Sequence, residues 1–199
     1  LESSVPGTKV LGILPCGSGD GLALHLGMSR RPSRAARQLR NAGISVMDCA
    51  LIGDGSLSKI FFCTAGLGFD ADVAEAFASG GRRGLRAYIR AAWKTWWNFR
   101  PEECRVTVDG RTITQTCMMI TAGNASEWGN HARIAPLASI SDAMMDVCIV
   151  KPFGLWRVPG LAMRLMTGRL ASSSVMTVVK GREAVVERGQ AGAVHCDGD

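Results

Sequence analysis

A mostly β protein of the α+β class is predicted by three features of this sequence. Short runs rich in β-branched residues recur at residues 45–52, 57–64, 105–108, 112–121, 145–150, 175–179 and 184–187. Turn residues separate them, among them Gly53-Asp54-Gly55 and Asp109-Gly110. Helical periodicity is confined to a few short stretches. Many short strands joined by tight turns build a sandwich or a barrel.

Taken in order, residues 9–14 form a short apolar run that ends at Pro15. Gly17-Ser18-Gly19-Asp20-Gly21 comes next, then a helix over 22–26 that stops at Gly27. Strand, glycine-rich loop and helix in succession make the usual geometry for an anion at a helix N-terminus. A second, arginine-rich helix is expected over 33–41, capped by Ser33 and ended before Gly43. From Ile44 the β runs take over, and Asp109-Gly110 marks the clearest hairpin. Helices over 71–78 and 84–97 interrupt them. The second carries Tyr88, Ala92, Trp96 and Phe99 at helical spacing, the pattern of a face packed into the core. Residues 153–166 fit a further helix that Pro159 must start or kink.

The chain has 199 residues, 47% apolar and 20% charged, the balance of a folded globular protein. It begins at Leu1 and stops at Asp199, and we expect it to be part of a longer protein. No apolar run approaches the ~18 residues of a membrane-spanning helix. The seven cysteines have no Cys-x-x-Cys spacing and lie mostly in strand-like runs, which predicts reduced, buried thiols of a cytoplasmic protein. The net charge of +6 is concentrated in residues 30–40 and 82–100. The aromatic patterns of RNA-binding modules are absent, so lipid surfaces and phosphorylated ligands are expected as partners rather than nucleic acid.

The loop at Gly17-Ser18-Gly19 lets backbone approach an anion closely, or serves as a tight turn with a helix cap. A serine-hydrolase elbow needs glycine two residues before the serine, and Cys16 stands there. Ser18, Asp142 and His195 do occur in the chain order of α/β-hydrolase triads, which keeps an esterase as an alternative.

Five segments together resemble the diacylglycerol kinase and sphingosine kinase superfamily of lipid kinases. They are Pro15-Cys16-Gly17-Ser18-Gly19-Asp20, Gly66-Leu67-Gly68-Phe69-Asp70-Ala71, Asn124 to Gly129 with Ile134-Ala135-Pro136 after it, Asp142-Ala143-Met144-Met145-Asp146, and Asp197-Gly198-Asp199. The resemblance implies that residues 1–42 are the C-terminal remnant of an α/β nucleotide-binding domain like that of NAD kinases. It implies that 43–199 form a lipid-binding β-sandwich with inserted helices, whose last residues return toward the active site. The main ATP motif of the family, Gly-Gly-Asp-Gly-Thr, is not in this chain, which alone is expected to be inactive.

The same resemblance implies ATP as the phosphate donor, contacted by Gly17, Ser18, Gly19 and Asp20. It makes Asp197 and Asp199 the catalytic acidic pair, either of which takes the proton of the lipid hydroxyl; the family's glutamate is replaced at Asp199. It turns Asp72, with Asp70 beside it, to the lipid head group, although both suit a helix N-terminus equally well. It also implies a structural Mg²⁺ on Asp142 and the carbonyls of Ser139 and Met144. Ala143 replaces a glycine there, and strains the loop if a positive φ is needed. Arg82, Arg83 and Arg86 contact phosphate or anionic lipid on this reading, or form a solvated face. The implied lipid is diacylglycerol or a sphingoid base, with the protein meeting the membrane surface transiently, and a homodimer is compatible with the sequence. A non-catalytic lipid-binding module is the second alternative.

Overall fold

The computed structural model describes residues 10–17, 19–81 and 84–198. Strands β3 (Thr64–Gly68), β6 (Met119–Gly123), β7 (Met145–Val150), β8 (Met176–Gly181) and β10 (Val194–Cys196) form an antiparallel sheet in the order β10-β3-β6-β7-β8. Strands β4 (Glu102–Val108), β5 (Arg111–Cys117) and β9 (Ala184–Arg188) form a second sheet, β5-β4-β9. A separate hairpin pairs β1 (Ala50–Gly53) with β2 (Ser58–Phe61).

The two larger sheets pack face to face over Val106, Val108, Ile120, Val147 and Ile149. Because strand side chains alternate, Cys148 and Val150 of β7 point the other way, into a second core with Ile134, Leu170 and Met176. Phe153, Leu161 and Leu165 cover that side. This is why β7 is apolar continuously from Val147 to Val150: both of its faces are buried.

Five helices complete the described chain: α1 (Gly21–His25), α2 (Pro32–Arg40), α3 (Phe69–Ser79), α4 (Leu85–Asn98) and α5 (Val158–Met166). The expected aromatic face of α4 is turned toward the fold but only partly covered, with Tyr88 still 39% exposed. Tyr88 meets Phe77, and Trp96 meets Phe69 and Phe153, with ring centroids 5.5 to 5.7 Å apart. Pro159 starts α5 rather than kinking it, after a 3₁₀ turn at Leu155–Arg157.

Several expectations are corrected. Residues 10–16 form no strand, and only 50–52 of the 45–52 run are paired, because the stretch before them has no neighbouring strand. Pro32 occupies the first turn of α2, so Arg31 and not Ser33 precedes it. The run 112–121 is two strands in different sheets: the chain steps across at Met118, whose N–H and C=O bond to Val150 and Phe69. The 57–64 run likewise divides at Phe62. The Asp109-Gly110 hairpin forms as expected, with both residues at positive φ, 44° and 82°. Cys63, Cys104, Cys117 and Cys148 are free thiols and buried, whereas Cys16 and Cys49 are free and exposed. Burial pushes the Cys63 thiol up to about 12, as expected of an inert core thiol.

Candidate functional site

Asp20 closes the glycine-rich loop on itself. It sits in left-handed backbone, φ 56°, immediately before α1. One carboxylate oxygen accepts the Gly17 N–H at 2.7 Å, and the other pairs with the Arg30 guanidinium at 3.2 Å. Gly17 and Asp20 are therefore engaged with each other, and Gly19 turns its carbonyl to the Asn130 N–H at 2.9 Å. Ser18 lies outside the described residues. α1 has only five residues, so its dipole offers an anion little.

The loop is docked on residues 124–132, and glycines make that approach feasible. A Cβ on Gly21 would lie 2.8 Å from the Glu127 carbonyl oxygen, and one on Gly129 would lie 2.8 Å from the Gly19 Cα. Gly129 also stands at φ 132°, which an L side chain rarely adopts. Gly129→Ala is expected to destabilise the protein by about 2 kcal/mol, read as a lowered Tm, and to loosen the loop. From α1, His25 Nδ1 accepts the Ser126 N–H at 3.1 Å and lies 2.8 Å from its hydroxyl. Burial holds the pKa of His25 below its usual range.

The same segment reaches the β-sandwich. The buried Asn124 side chain donates to the carbonyls of Asp48 and Phe62 at 3.0 and 2.9 Å, and the Cys63 carbonyl accepts the N–H groups of Asn124 and Ala125. Asp197 holds the other side of that turn. Its carboxylate accepts three N–H groups, from Phe62, Cys63 and Thr64, at 2.8, 2.8 and 3.0 Å. These bonds split the predicted 57–64 strand, since a side chain 135 residues away takes N–H groups that a neighbouring strand would otherwise take. Asp197 is thus a clamp on the backbone. Asp199, the other half of the acidic pair, lies outside the described residues.

Asp70 is neither an N-cap nor an exposed contact. It is buried, and one oxygen accepts both the Thr121 hydroxyl at 2.8 Å and His195 Nε2 at 3.0 Å. His195 belongs to β10, so this pair fastens the C-terminal strand to α3. The pairing also removes the esterase arrangement: His195 is bound to Asp70, and Asp142 to Lys180.

Asp72, half-buried on α3, faces a cleft of about 450 Å³ with Leu67, Phe99, Arg100, Met118 and Arg188. Burial pushes its carboxyl up, Glu75 adds to this, and Arg188 opposes it. The cleft mixes apolar and polar lining, with Asp72, Arg100, Glu102 and Arg188 as its charged members.

The expected Mg²⁺ position is filled by a side chain. Lys180 Nζ lies 2.9 Å from Asp142 Oδ2 and 3.5 Å from Asp146 Oδ1, and the Met144 N–H donates to Asp142 Oδ1 at 3.2 Å. Asp146 and Lys180 are direct partners across β7 and β8. A dication on Asp142 would meet the ammonium, so these residues do not fit a bound Mg²⁺. The Ser139 hydroxyl is turned to Ser141. Among the described residues no group of three or more His, Cys, Asp or Glu side chains is arranged to hold a metal. Ala143 does stand at positive φ, 54°, as expected if a glycine's conformation had to be kept.

Thr121, His195, Asp48 and Lys180 carry no local signal in the sequence, since each acts through a partner distant along the chain; Arg188 lines the cleft while donating to the nearby carbonyls of Gly192 and Ala193. The glycine loop, the β2–β3 turn, residues 124–130 and the C-terminal segment nevertheless form one continuous hydrogen-bonded network.

Several known proteins resemble this chain. The protein named "Probable lipid kinase YegS-like" from Chromohalobacter salexigens is 28% identical over 145 residues, covering 72% of this chain and 45% of its own. A diacylglycerol kinase of Mycobacterium tuberculosis is 28% identical over 150 residues, covering 73% and 48%. The chain thus spans about half the length of the curated relatives it matches. A solved structure described as a diacylglycerol kinase from Bacillus anthracis superposes with a TM-score of 0.66 at 16% identity, over 94% of this chain and 60% of that one. Residues 63–199 match the model of the YegS C-terminal NAD kinase beta sandwich-like domain, and by that match this chain belongs to that family.

Proposed function

We propose that this chain is the lipid-binding part of an ATP-dependent kinase that phosphorylates a hydroxyl of a membrane lipid. The observation that carries this reading is the convergence of the separated motifs into one network at the Thr64 end of β3, the strand whose Leu67 and Gly68 border the cleft. Loop 15–21, turn 62–64, segment 124–130 and the C-terminal residues 195–198 are connected by hydrogen bonds or close backbone contact. Phosphoryl transfer to an alcohol needs a carboxylate near the acceptor and a cradle for the nucleotide phosphates. With Asp197 committed to three N–H groups, Asp199 is the carboxylate that takes the lipid's proton. Loop 15–21 borders the nucleotide, and the acceptor lies in the cleft with Asp72 at its polar end.

The relatives named lipid kinase and diacylglycerol kinase support the reaction class. Residues 1–42 are read as the tail of a nucleotide-binding domain. Val10, Leu11, Ile44, Val46, Leu51 and Leu57 are exposed, the apolar surface that such a domain would cover. The protein works at the cytoplasmic face of the membrane that holds its substrate. No described helix is long and apolar enough to cross a membrane.

The test is transfer of labelled γ-phosphate from ATP to diacylglycerol and to sphingoid bases, by this chain joined to its nucleotide-binding domain. A labelled lipid is expected. Asp72→Asn then sorts the acceptors: an ammonium paired with Asp72 loses about tenfold to a hundredfold in kcat/KM, and an uncharged diacylglycerol head group far less. Folded protein that binds ATP and labels neither lipid would leave a non-catalytic lipid-binding module as the better reading.

A further inference from the structure

Helix α4 has a second apolar stripe, and nothing in the described fold covers it. About a quarter-turn round the helix from Tyr88 and Trp96, the residues Ile89, Trp93 and Trp97 succeed one another at four-residue spacing. They are 58%, 58% and 57% exposed. The two indoles touch edge to face at 5.6 Å, so they form one patch rather than separate surface residues. Large aromatic side chains left in water at this spacing mark a surface that meets something else.

The charge around the stripe says what that is. Arg86, Arg90 and Lys94 lie on the same helix, and no acidic residue occurs between Glu75 and Glu102. A second acid-free stretch runs between Asp146 and Glu183. It begins beside α4, where Phe153 packs on Trp96, and soon exposes Trp156 at 79% with the Arg157 guanidinium 5.1 Å over its ring. Indoles favour the boundary between head groups and acyl chains, and clustered Lys and Arg are drawn to anionic lipid. A protein partner of ordinary composition would bring no uniform negative field. The location fits as well: Asn98, Phe99 and Arg100, where α4 ends, line the cleft that holds Asp72.

We propose that the outer face of α4, Ile89, Trp93 and Trp97 with Arg86, Arg90 and Lys94, seats the protein on an anionic bilayer with the cleft mouth at the head groups. This rests on the reading that the acceptor is a lipid, and it names the surface through which that lipid is reached. On such a surface α4 lies along the interface, with Trp93 and Trp97 at head-group depth. The acceptor then needs to rise only from the bilayer to the end of the same helix.

Co-sedimentation of the protein with phosphatidylcholine vesicles, with and without phosphatidylglycerol, tests this without nucleotide or phosphoryl transfer. A failure to bind is therefore distinguishable from failure of the kinase reading. Binding should require phosphatidylglycerol and fall as salt is raised. Each of Arg86→Gln, Arg90→Gln and Lys94→Gln should weaken partitioning about fivefold, and the three together on the order of a hundredfold. Lipids brominated near the head group should quench indole fluorescence, and Trp93→Ser with Trp97→Ser should remove most of that quenching. All these positions are exposed on α4 and the Tm of each variant should be unchanged, which separates docking from folding. Equal binding to both vesicle types, binding unaffected by the triple variant, or indoles that are not quenched would overturn the proposal. So would lipid-free self-association abolished by the Trp93 and Trp97 variants, which would show that a second copy of the chain covers the stripe.

Discussion

Asp199→Asn should leave the fold intact and lower phosphoryl transfer by about 10²- to 10⁴-fold, the usual contribution of a positioned general base. Asp197→Asn should instead lower stability, by about 2 kcal/mol, with activity falling only as folded protein is lost. The contrast comes from what each carboxylate can touch. Asp197 spends its oxygens on the N–H groups of Phe62, Cys63 and Thr64, and its own N–H donates to the Thr64 carbonyl at 2.8 Å. An asparagine amide offers one acceptor oxygen to three donors and points N–H groups at N–H groups. Asp197 at φ 53° and Gly198 at φ 95° turn the chain at this clamp. Steady-state kinetics and thermal melts of both variants, in the chain joined to its nucleotide-binding domain, separate the roles. A collapse of kcat in Asp197→Asn at unchanged Tm would reverse the assignment.

Lys180→Met should cost about 2 kcal/mol, while Mg²⁺ or a chelator should leave the Tm of the unaltered, nucleotide-free protein unchanged. Asp146 is 2% exposed, and the ammonium is the only ion-pair partner for it among the described residues. Removing the cation leaves a buried carboxylate uncompensated, the expensive way to break an ion pair; partial exposure of Lys180 at 39% moderates the loss. The pH dependence has a definite sign. Burial pushes the Asp146 carboxyl above its usual range, whereas the Lys180 hydrogen bond pulls Asp142 below it. A carboxyl raised on folding binds protons more readily in the native state, so its penalty grows as pH rises through the raised value. Without the lysine that penalty is larger, and the deficit of Lys180→Met should shrink as pH is lowered into the carboxylate range. A Tm of the unaltered protein that rises with Mg²⁺, and no longer does so in Asp142→Asn, would show that a metal displaces the ammonium.

The parts of the fold that were legible in the sequence are those written in local chemistry. β7 coincides with its predicted run because six consecutive residues are apolar or partnered on both faces. The β4–β5 hairpin was legible in Asp109-Gly110, and the fold-facing side of α4 in the spacing of Tyr88, Ala92, Trp96 and Phe99. β3 was not legible as a separate strand: Thr64-Ala65-Gly66-Leu67-Gly68 has little β propensity. Gly66 is required there because a Cβ on it would lie 2.8 Å from both Asp70 Oδ2 and His195 Nε2. β10, three residues long, was equally silent.

The candidate site divides in the same way. The sequence by itself determined the fold class, the ordered motifs and hence the family, because turn residues, periodicity and close-packed glycines act over a few residues. Only the tertiary structure decided what the acidic residues do. Asp20 closes its own loop, Asp70 is buried against His195, Asp197 clamps a turn, and Asp142 holds a lysine, while Asp72 alone of the described candidates faces a cleft. A carboxylate's role is set by the donors around it, and here those donors come mostly from residues 38 to 135 positions away along the chain.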